Sequence, residues 1–472
     1  MLLGASSAFL KRPAWMETPW EAPASGRLFA KPTLGGERGL ATAAPRSGVL
    51  YPSSSPGKRK AMHWTNRLLA AVIPILLQAC AAGPLATHPP TATAAMEARG
   101  PVTILIGIDG FRPDYLDRGI TPVLSGLAAK GVRAAMTPSF PTKTFPNHYT
   151  LVTGLHPDRN GIVANRFEDP AHPDEVFTMA SLDPYWWDQA EPIWVAAEKA
   201  GIRTATMFWP GSNAEVRGTY PSAWQQFNQK VTGAQRVDAV IDWMRRPAAT
   251  RPRLVTLYFD TVDTAGHRFG PDSAEANAAI ADVDALIGRL TRDLTALGQP
   301  ANLVIVADHG MAAIDDSRTI ALDTLVAPAD VRVVEDGPYL SLHALPGREA
   351  AVAAALAESH PHVRCWDKAT IPVRLAYGRN PRVPPFLCVA EEGWMILAKP
   401  PEYPVRGGAH GYDNQDPSMQ ALFVASGPAF ASGETVTGVD SVDIEPLLRR
   451  LVGLPAAAGR DGDAAAFETL LN

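Results

Sequence analysis

Four stretches of this chain are apolar without a break, and three of them run directly into acidic or imidazole side chains. Val102–Ile108 (VTILIGI) is followed by Asp109, Leu254–Phe259 by Asp260 and Asp263, and residues 303–307 by Asp308 and His309. The fourth run is 421–425. A strand that is apolar at every position is covered on both faces, as in a parallel sheet between helices rather than a half-exposed hairpin. Helix-like stretches separate the runs, at 121–130, Thr144–Thr153, 191–200, 274–297 and 442–451. The alternation predicts an α/β sandwich with a mostly parallel central sheet flanked by helices. Ligands of such sheets gather beyond the carboxyl ends of the strands, so the polar residues after each run are expected to meet.

Length alone allows about three domains, but the motifs described below are spread so widely that they must converge within one fold. One catalytic domain is expected over 101–472, with the less regular, proline-rich segment 331–400 as a small inserted subdomain before the chain returns to the core at Gly407. Upstream, 1–61 reads as disordered or as an over-extended start. Residues 62–82 have the form of an export signal: Arg67, a ten-residue apolar run at 68–77, then small residues. That run falls short of the roughly 20 residues that span a bilayer. Leu77-Gln78-Ala79-Cys80 is similar to a lipobox with an unusual Gln78. Either Cys80 becomes a lipidated membrane anchor, or ordinary cleavage follows Ala81; both readings export the protein to the periplasm or cell envelope. Residues 83–100 read as a Pro, Thr and Ala tether.

The formal charge of -5 hides an asymmetry, because the first 79 residues carry ten Lys and Arg against three Glu, leaving about -12 for the rest. An acidic mature chain is poorly suited to stable, sequence-independent binding of nucleic acid. Small nucleotides remain compatible, since bound metal ions add positive charge that formal counting omits. Once Cys80 is set aside, Cys365 and Cys388 remain. They form either one disulfide, as an oxidising compartment permits, or two buried thiols.

Four short patterns carry chemistry. Asp263 and His267 stand four apart in FDTVDTAGH, one helical turn or one tight loop. Asp308-His309-Gly310 ends an apolar strand. His410 lies in the glycine-rich GGAHG. In PTKTFPNH a hydroxyl, Thr144, opens a helix whose N-terminal N–H groups suit a phosphate. Each alone has an ordinary explanation: a helix cap, a polar turn, a solvent-facing loop histidine.

Taken in order, IGIDGFRPDYL, PTKTFPNHYTLVTGLHPDRNGIVAN, DTVDTAGHRFGP, ADHGM and GAHGYDN resemble the nucleotide pyrophosphatase/phosphodiesterase family of the alkaline phosphatase superfamily, bacterial type, from about Val102 to Phe430. The resemblance implies an alkaline-phosphatase-like fold and two zinc ions, one held by Asp263, His267 and His410, the other by Asp109, Asp308, His309 and the nucleophile Thr144. It assigns transition-state oxygens to the Thr144 N–H and the Asn165 amide. Phe145 and Tyr258 are expected to sandwich a nucleotide base, with Phe177 and Phe227 as fainter candidates, although all could be core aromatics. Lys143 either adds charge for the substrate or is simply solvated. His148 is expected to pack beneath the site without binding metal. The implied activity is hydrolysis of phosphodiester or pyrophosphate bonds in nucleotides or dinucleotides, giving nucleoside 5'-monophosphates. The alternatives are a phosphomonoesterase or lipid-head-group phosphodiesterase of the same superfamily, or a non-catalytic binding lipoprotein; a sulfatase is disfavoured because Thr144 stands where Cys or Ser is needed.

Overall fold

All four continuous apolar runs are strands of one eight-stranded sheet. Its order is Glu434–Asp440, Val132–Thr137, Ala421–Ser426, Ala301–Val306, Val102–Ile108, Leu254–Phe259, Thr204–Met207 and Ala223–Trp224. The computed structural model describes residues 98–472. The start at 1–61, the export segment with Cys80 and nearly all of the tether lie outside the described residues. Val102–Ile108 is the innermost apolar strand, paired in parallel with Leu254–Phe259 on one side and Ala301–Val306 on the other. Every residue of it is buried. At roughly 1.5–3 kcal/mol per buried aliphatic side chain, such a strand is a major contributor to the core.

The central sheet is mostly parallel, as expected, and the run at 421–425 is its exception: it lies antiparallel to both neighbours, Ala301–Val306 and Val132–Thr137. Apolar continuity reports burial on two faces and carries no information about direction. The reversal has a consequence for the site: the loop that precedes this strand, not the one that follows it, arrives at the carboxyl end of the others.

Helices form at Pro122–Ala129, Thr144–Thr153, Ile193–Lys199, Ala274–Ala296 and Ile444–Val452, close to the expected spans. Outside those spans, Gly233–Met244, Thr261–Phe269 and Glu349–Leu356 are also helical. The first carries a capping box, Thr232 with Gln235, which is visible in the sequence. The long helix Ala274–Ala296 begins at Ser273, whose hydroxyl accepts from Ala276 N at 3.0 Å. Its buried Asp284 in turn accepts from Val123 N and Leu124 N, satisfying the orphan amides that open Pro122–Ala129.

Between 331 and 390 lies a second, antiparallel sheet in the order Val331–Glu335, Tyr339–Ala344, Phe386–Ala390, Val363–Asp367. It has its own apolar cluster, built on residues such as Leu340, Leu342, Val352 and Phe386. Cys365 and Cys388 face each other across its two adjacent strands and are joined by a disulfide. A two-stranded ribbon, Ala312–Asp315 with Arg406–Ala409, leads the chain back to His410.

Candidate active site

The strand ends deliver their polar residues to one place. Asp109 follows Val102–Ile108 directly, and Asp308 and His309 follow Ala301–Val306 by two residues; all three are buried. Leu254–Phe259 is followed by two carboxylates that part company. Asp260 is taken up by buried Arg236 at 2.8 Å and by Gln229 at 3.2 Å. Asp263, one turn into the helix Thr261–Phe269, points into the site with His267 four residues later on the same face. His410 comes from the loop before the reversed strand.

Three imidazoles are held alike. Nδ1 of His267 lies 2.8 Å from Gly408 O, Nδ1 of His410 2.7 Å from Thr142 O, and Nδ1 of His309 3.0 Å from Gly310 O. A carbonyl only accepts, so each Nδ1 carries a proton and Nε2 is the atom turned toward the site. The Nε2 atoms of His267 and His410 then face one another at 3.0 Å, and Asp263 Oδ1 stands 3.4 and 3.7 Å from them. His309 Nε2 lies 2.9 Å from Asp308 Oδ2, 3.5 Å from Asp109 Oδ1 and 3.4 Å from Thr144 Oγ1. Tetrahedral zinc with bonds of about 2.0–2.1 Å requires its ligand atoms about 3.3 Å apart. The separations above, 2.9–3.7 Å, bracket that value.

The carboxylates make the same point. Asp109 Oδ1 and Asp263 Oδ1 are buried without a hydrogen-bond partner, and Asp308 Oδ2 has the imidazoles of His309 and His148 beside it. Burial, then the charges of Asp308 and Asp263, holds Asp109 well above the usual carboxylate range, and burial raises Asp263 despite His267 and His309. Against its own burial, Asp308 is drawn well below that range by His309 and His148. Burial, followed by His309 and His267, keeps His410 neutral. A cluster this short of positive charge fits divalent cations. By mutual proximity, Asp263, His309 and His410 form one possible metal-holding group and Asp109, His148 and Asp308 another. In the second, however, His148 Nδ1 faces Thr144 O at 2.9 Å and Asp308 at 3.3 Å, so it presents a proton rather than a lone pair.

A family model described as "Type I phosphodiesterase / nucleotide pyrophosphatase" matches residues 103–413. The chain belongs to this family. It is 37% identical over 358 residues to the bis(5'-adenosyl)-triphosphatase enpp4 of Xenopus laevis, covering 75% of this chain and 78% of that one. To the human ectonucleotide pyrophosphatase/phosphodiesterase family member 5 it is 34% identical over 359 residues, covering 75% and 74%. The solved structure of an inactive murine ectonucleotide pyrophosphatase/phosphodiesterase 5 in complex with AMP superposes with a TM-score of 0.75 at 34% identity, over 79% of this chain and 100% of that one. The protein is therefore a hydrolase of the type I phosphodiesterase and nucleotide pyrophosphatase family, with the α/β fold of its relatives.

In this phosphodiesterase the residue at the helix start is Thr144, preceded by extended Lys143 at the N-cap. Asn147 pins the approach: its Nδ2 donates to Ser139 O, Pro141 O and Lys143 O, and its Oδ1 accepts from Ser139 N. The Thr142 hydroxyl donates to Tyr412 O and accepts from Gly411 N, tying the Thr144 loop to the His410 loop. Neither residue was singled out from sequence, since buried Asn and Thr in a loop carry no distinguishing pattern. Asn165 Oδ1 accepts from Phe145 N at 2.9 Å, which leaves Nδ2 as the donating group.

These groups open onto a cavity of about 310 Å³. Phe145 and Tyr258 both contribute to its wall, but Phe145 is fully buried beside Phe177 and Trp187, and the Tyr258 hydroxyl donates to Asp109 Oδ2 at 2.6 Å. Phe227 is on the wall too, edge-on to Phe208 and Tyr258, whereas Phe177 lies behind it. Lys143 is not a solvated lysine: its ammonium sits 3.4 Å from Glu335 on the cavity wall. Glu335 and its neighbour Asp336 come from the second sheet and were invisible to motif reading.

Proposed function

We propose that this protein is an exported two-zinc hydrolase of phosphodiester and pyrophosphate bonds in nucleotides, releasing nucleoside 5'-monophosphates through a phosphothreonine at Thr144. The observation that carries the reading is the Thr144 hydroxyl, placed at a helix N-terminus 3.4 Å from Nε2 of His309 among two sets of imidazole and carboxylate donors. Asp263, His267 and His410 would hold one ion, and Asp109, Asp308, His309 and Thr144 the other. Imidazole and carboxylate are the ligands zinc takes when cysteine is not used. Bound zinc would supply Lewis-acid charge at the attacking and departing oxygens and lower the pKa of the threonine hydroxyl.

Thr144 Oγ loses its proton and forms a bond to phosphorus while the bond to the leaving oxygen breaks, its electron pair departing with the leaving group. Water then attacks the phosphothreonine, the P–Oγ bond breaks, and Thr144 regains its proton. Two in-line displacements give net retention at phosphorus. The Thr144 N–H and the Asn165 amide donate to the non-bridging oxygens, backed by the positive end of Thr144–Thr153. A neutral amide there suits a diester, which carries one charge fewer than a monoester. The phosphodiesterase family match, the AMP complex of a relative and a cavity with aromatic walls favour nucleotides, the base lying toward Phe145, Tyr258 and Phe227 with Lys143 near the phosphates. The sequence of 62–82 supports export to the periplasm or cell envelope, with Cys80 as a lipid anchor.

The test compares wild type and Thr144→Ala, zinc-loaded, on the p-nitrophenyl ester of thymidine 5'-monophosphate and on p-nitrophenyl phosphate. Preferred cleavage of the diester, with a loss on the order of a thousandfold or more in the variant, is expected. Monoester preference would point to a phosphomonoesterase instead, and full activity in Thr144→Ala would remove the nucleophile.

A further inference from the structure

Lys143 and Glu335 form an ion pair on the wall of the reaction cavity, with side chains 14% and 16% exposed. The pair is held from the Glu335 side. The buried Tyr339 hydroxyl donates to the other carboxylate oxygen of Glu335, and the Lys143 ammonium lies 5.6 Å above the Tyr339 ring. Lys143 runs past Gly411, where a side-chain carbon would come within 3.0 Å of its Cε, so its stem lies beside the neighbour of His410. Apart from histidines, the cations on the cavity wall are Lys143 and the exposed Arg166, whereas Asp109, Asp263, Glu335 and Asp336 are all acidic.

We infer that the Glu335–Lys143 pair sets selectivity for the leaving group: Lys143 binds a leaving group that bears phosphate, and Glu335 competes with it for that lysine. This rests on the phosphodiesterase reading above: with Thr144 on the side of Asp109, Asp308 and His309, in-line displacement sends the leaving group toward Asp263, His267 and His410, the side that Lys143 reaches beside Gly411. A phosphate-bearing leaving group can displace Glu335 from the ammonium, at the cost of leaving that carboxylate uncompensated near a second anion. A leaving group without phosphate gains nothing from Lys143, which then stays with Glu335. Glu335 is a positioning residue in this scheme, acting through Lys143.

Thymidine 5'-triphosphate and the p-nitrophenyl ester of thymidine 5'-monophosphate share one nucleoside and differ in the group expelled, so the ratio of their kcat/KM values isolates it. Glu335→Gln keeps an acceptor for Tyr339 and removes the charge. It is expected to raise the triphosphate-to-ester ratio about fivefold and to lower the Ki of inorganic pyrophosphate by a similar factor, while Lys143→Met lowers the ratio about tenfold. In the Lys143→Met background, Glu335→Gln should add nothing. A loss of folding would depress both substrates together and leave the ratio unchanged, and Lys143→Met tests the contact independently. Ratios within twofold of wild type in both single variants, with ester cleavage intact, would overturn the inference alone. A wild type inactive on the ester would instead sink the phosphodiesterase reading.

Discussion

His267, His309 and His410 do the same thing by the same means: a main-chain carbonyl takes Nδ1–H and frees Nε2. The carbonyls belong to Gly408, Gly310 and Thr142, so the orientation of each ring is written into backbone that no side-chain motif describes. Glycine at 310 is required by space, since a Cβ there would lie 2.0 Å from Ser418 O. Away from the site, Asp416 is half-buried, and burial together with Asp413 and Glu392 pushes its carboxyl up to about 6. A carboxyl whose pKa is higher in the folded than in the unfolded chain binds its proton preferentially when folded. Its contribution is therefore favourable below the unfolded value, near 4, and is lost as pH rises through 6. Asp416→Asn should raise the melting temperature at pH 7.5 and leave it nearly unchanged at pH 4; thermal scans at the two values test this, and an equal gain at both would contradict it.

Among the elements, the reversed strand Ala421–Ser426 decides the most. The other strands that feed the site present their ligands in the loop after them, whereas His410 precedes its strand, and a single change of direction reconciles the two. Arg382, in the segment that leads into the second-sheet strand Phe386–Ala390, donates to Asp169 at 2.7 Å, to Gly161 O at 2.8 Å and to Trp186 O at 2.9 Å, all buried. Asp169 and Gly161 flank the segment that carries Asn165. Arg382→Met leaves a buried carboxylate without its cation and removes the donor to two buried carbonyls, and should cost about 3–5 kcal/mol in a denaturant titration, far more than removal of an exposed arginine. A loss under about 1 kcal/mol would show that water takes over these partners.

At the scale of the whole molecule, the cavity lies where the carboxyl end of the central sheet meets Val334 to Pro338 of the second sheet. Asp109 and Asp263 on its wall, with buried Asp308 close to Asp109, concentrate negative charge, so bound divalent ions should stabilise the fold as well as activate it. Chelation is expected to lower the melting temperature, and zinc to restore it, because a ligand at a hundred times its Kd contributes about 2.7 kcal/mol. An unchanged melting temperature after verified metal removal would count against both metal sites. No helix among the described residues is long and apolar enough to cross a membrane.

What the sequence determined by itself was local. Continuous apolar runs marked the core strands because burial on two faces leaves no polar position. Asp109, Asp263, His267, Asp308, His309, His410 and Thr144 were legible because metal and phosphate chemistry restricts residue types within a few positions of a strand or helix end. What only the tertiary structure decided was everything that depends on distant chain segments meeting. It turned Asp260 away to Arg236, ran one apolar strand backwards, paired Cys365 with Cys388, buried Phe145 and set Glu335 against Lys143. The physical reason is the same in each case: hydrophobic patterning records how much of an element is covered, and the direction, partner and distance of what covers it are fixed only when the whole chain packs.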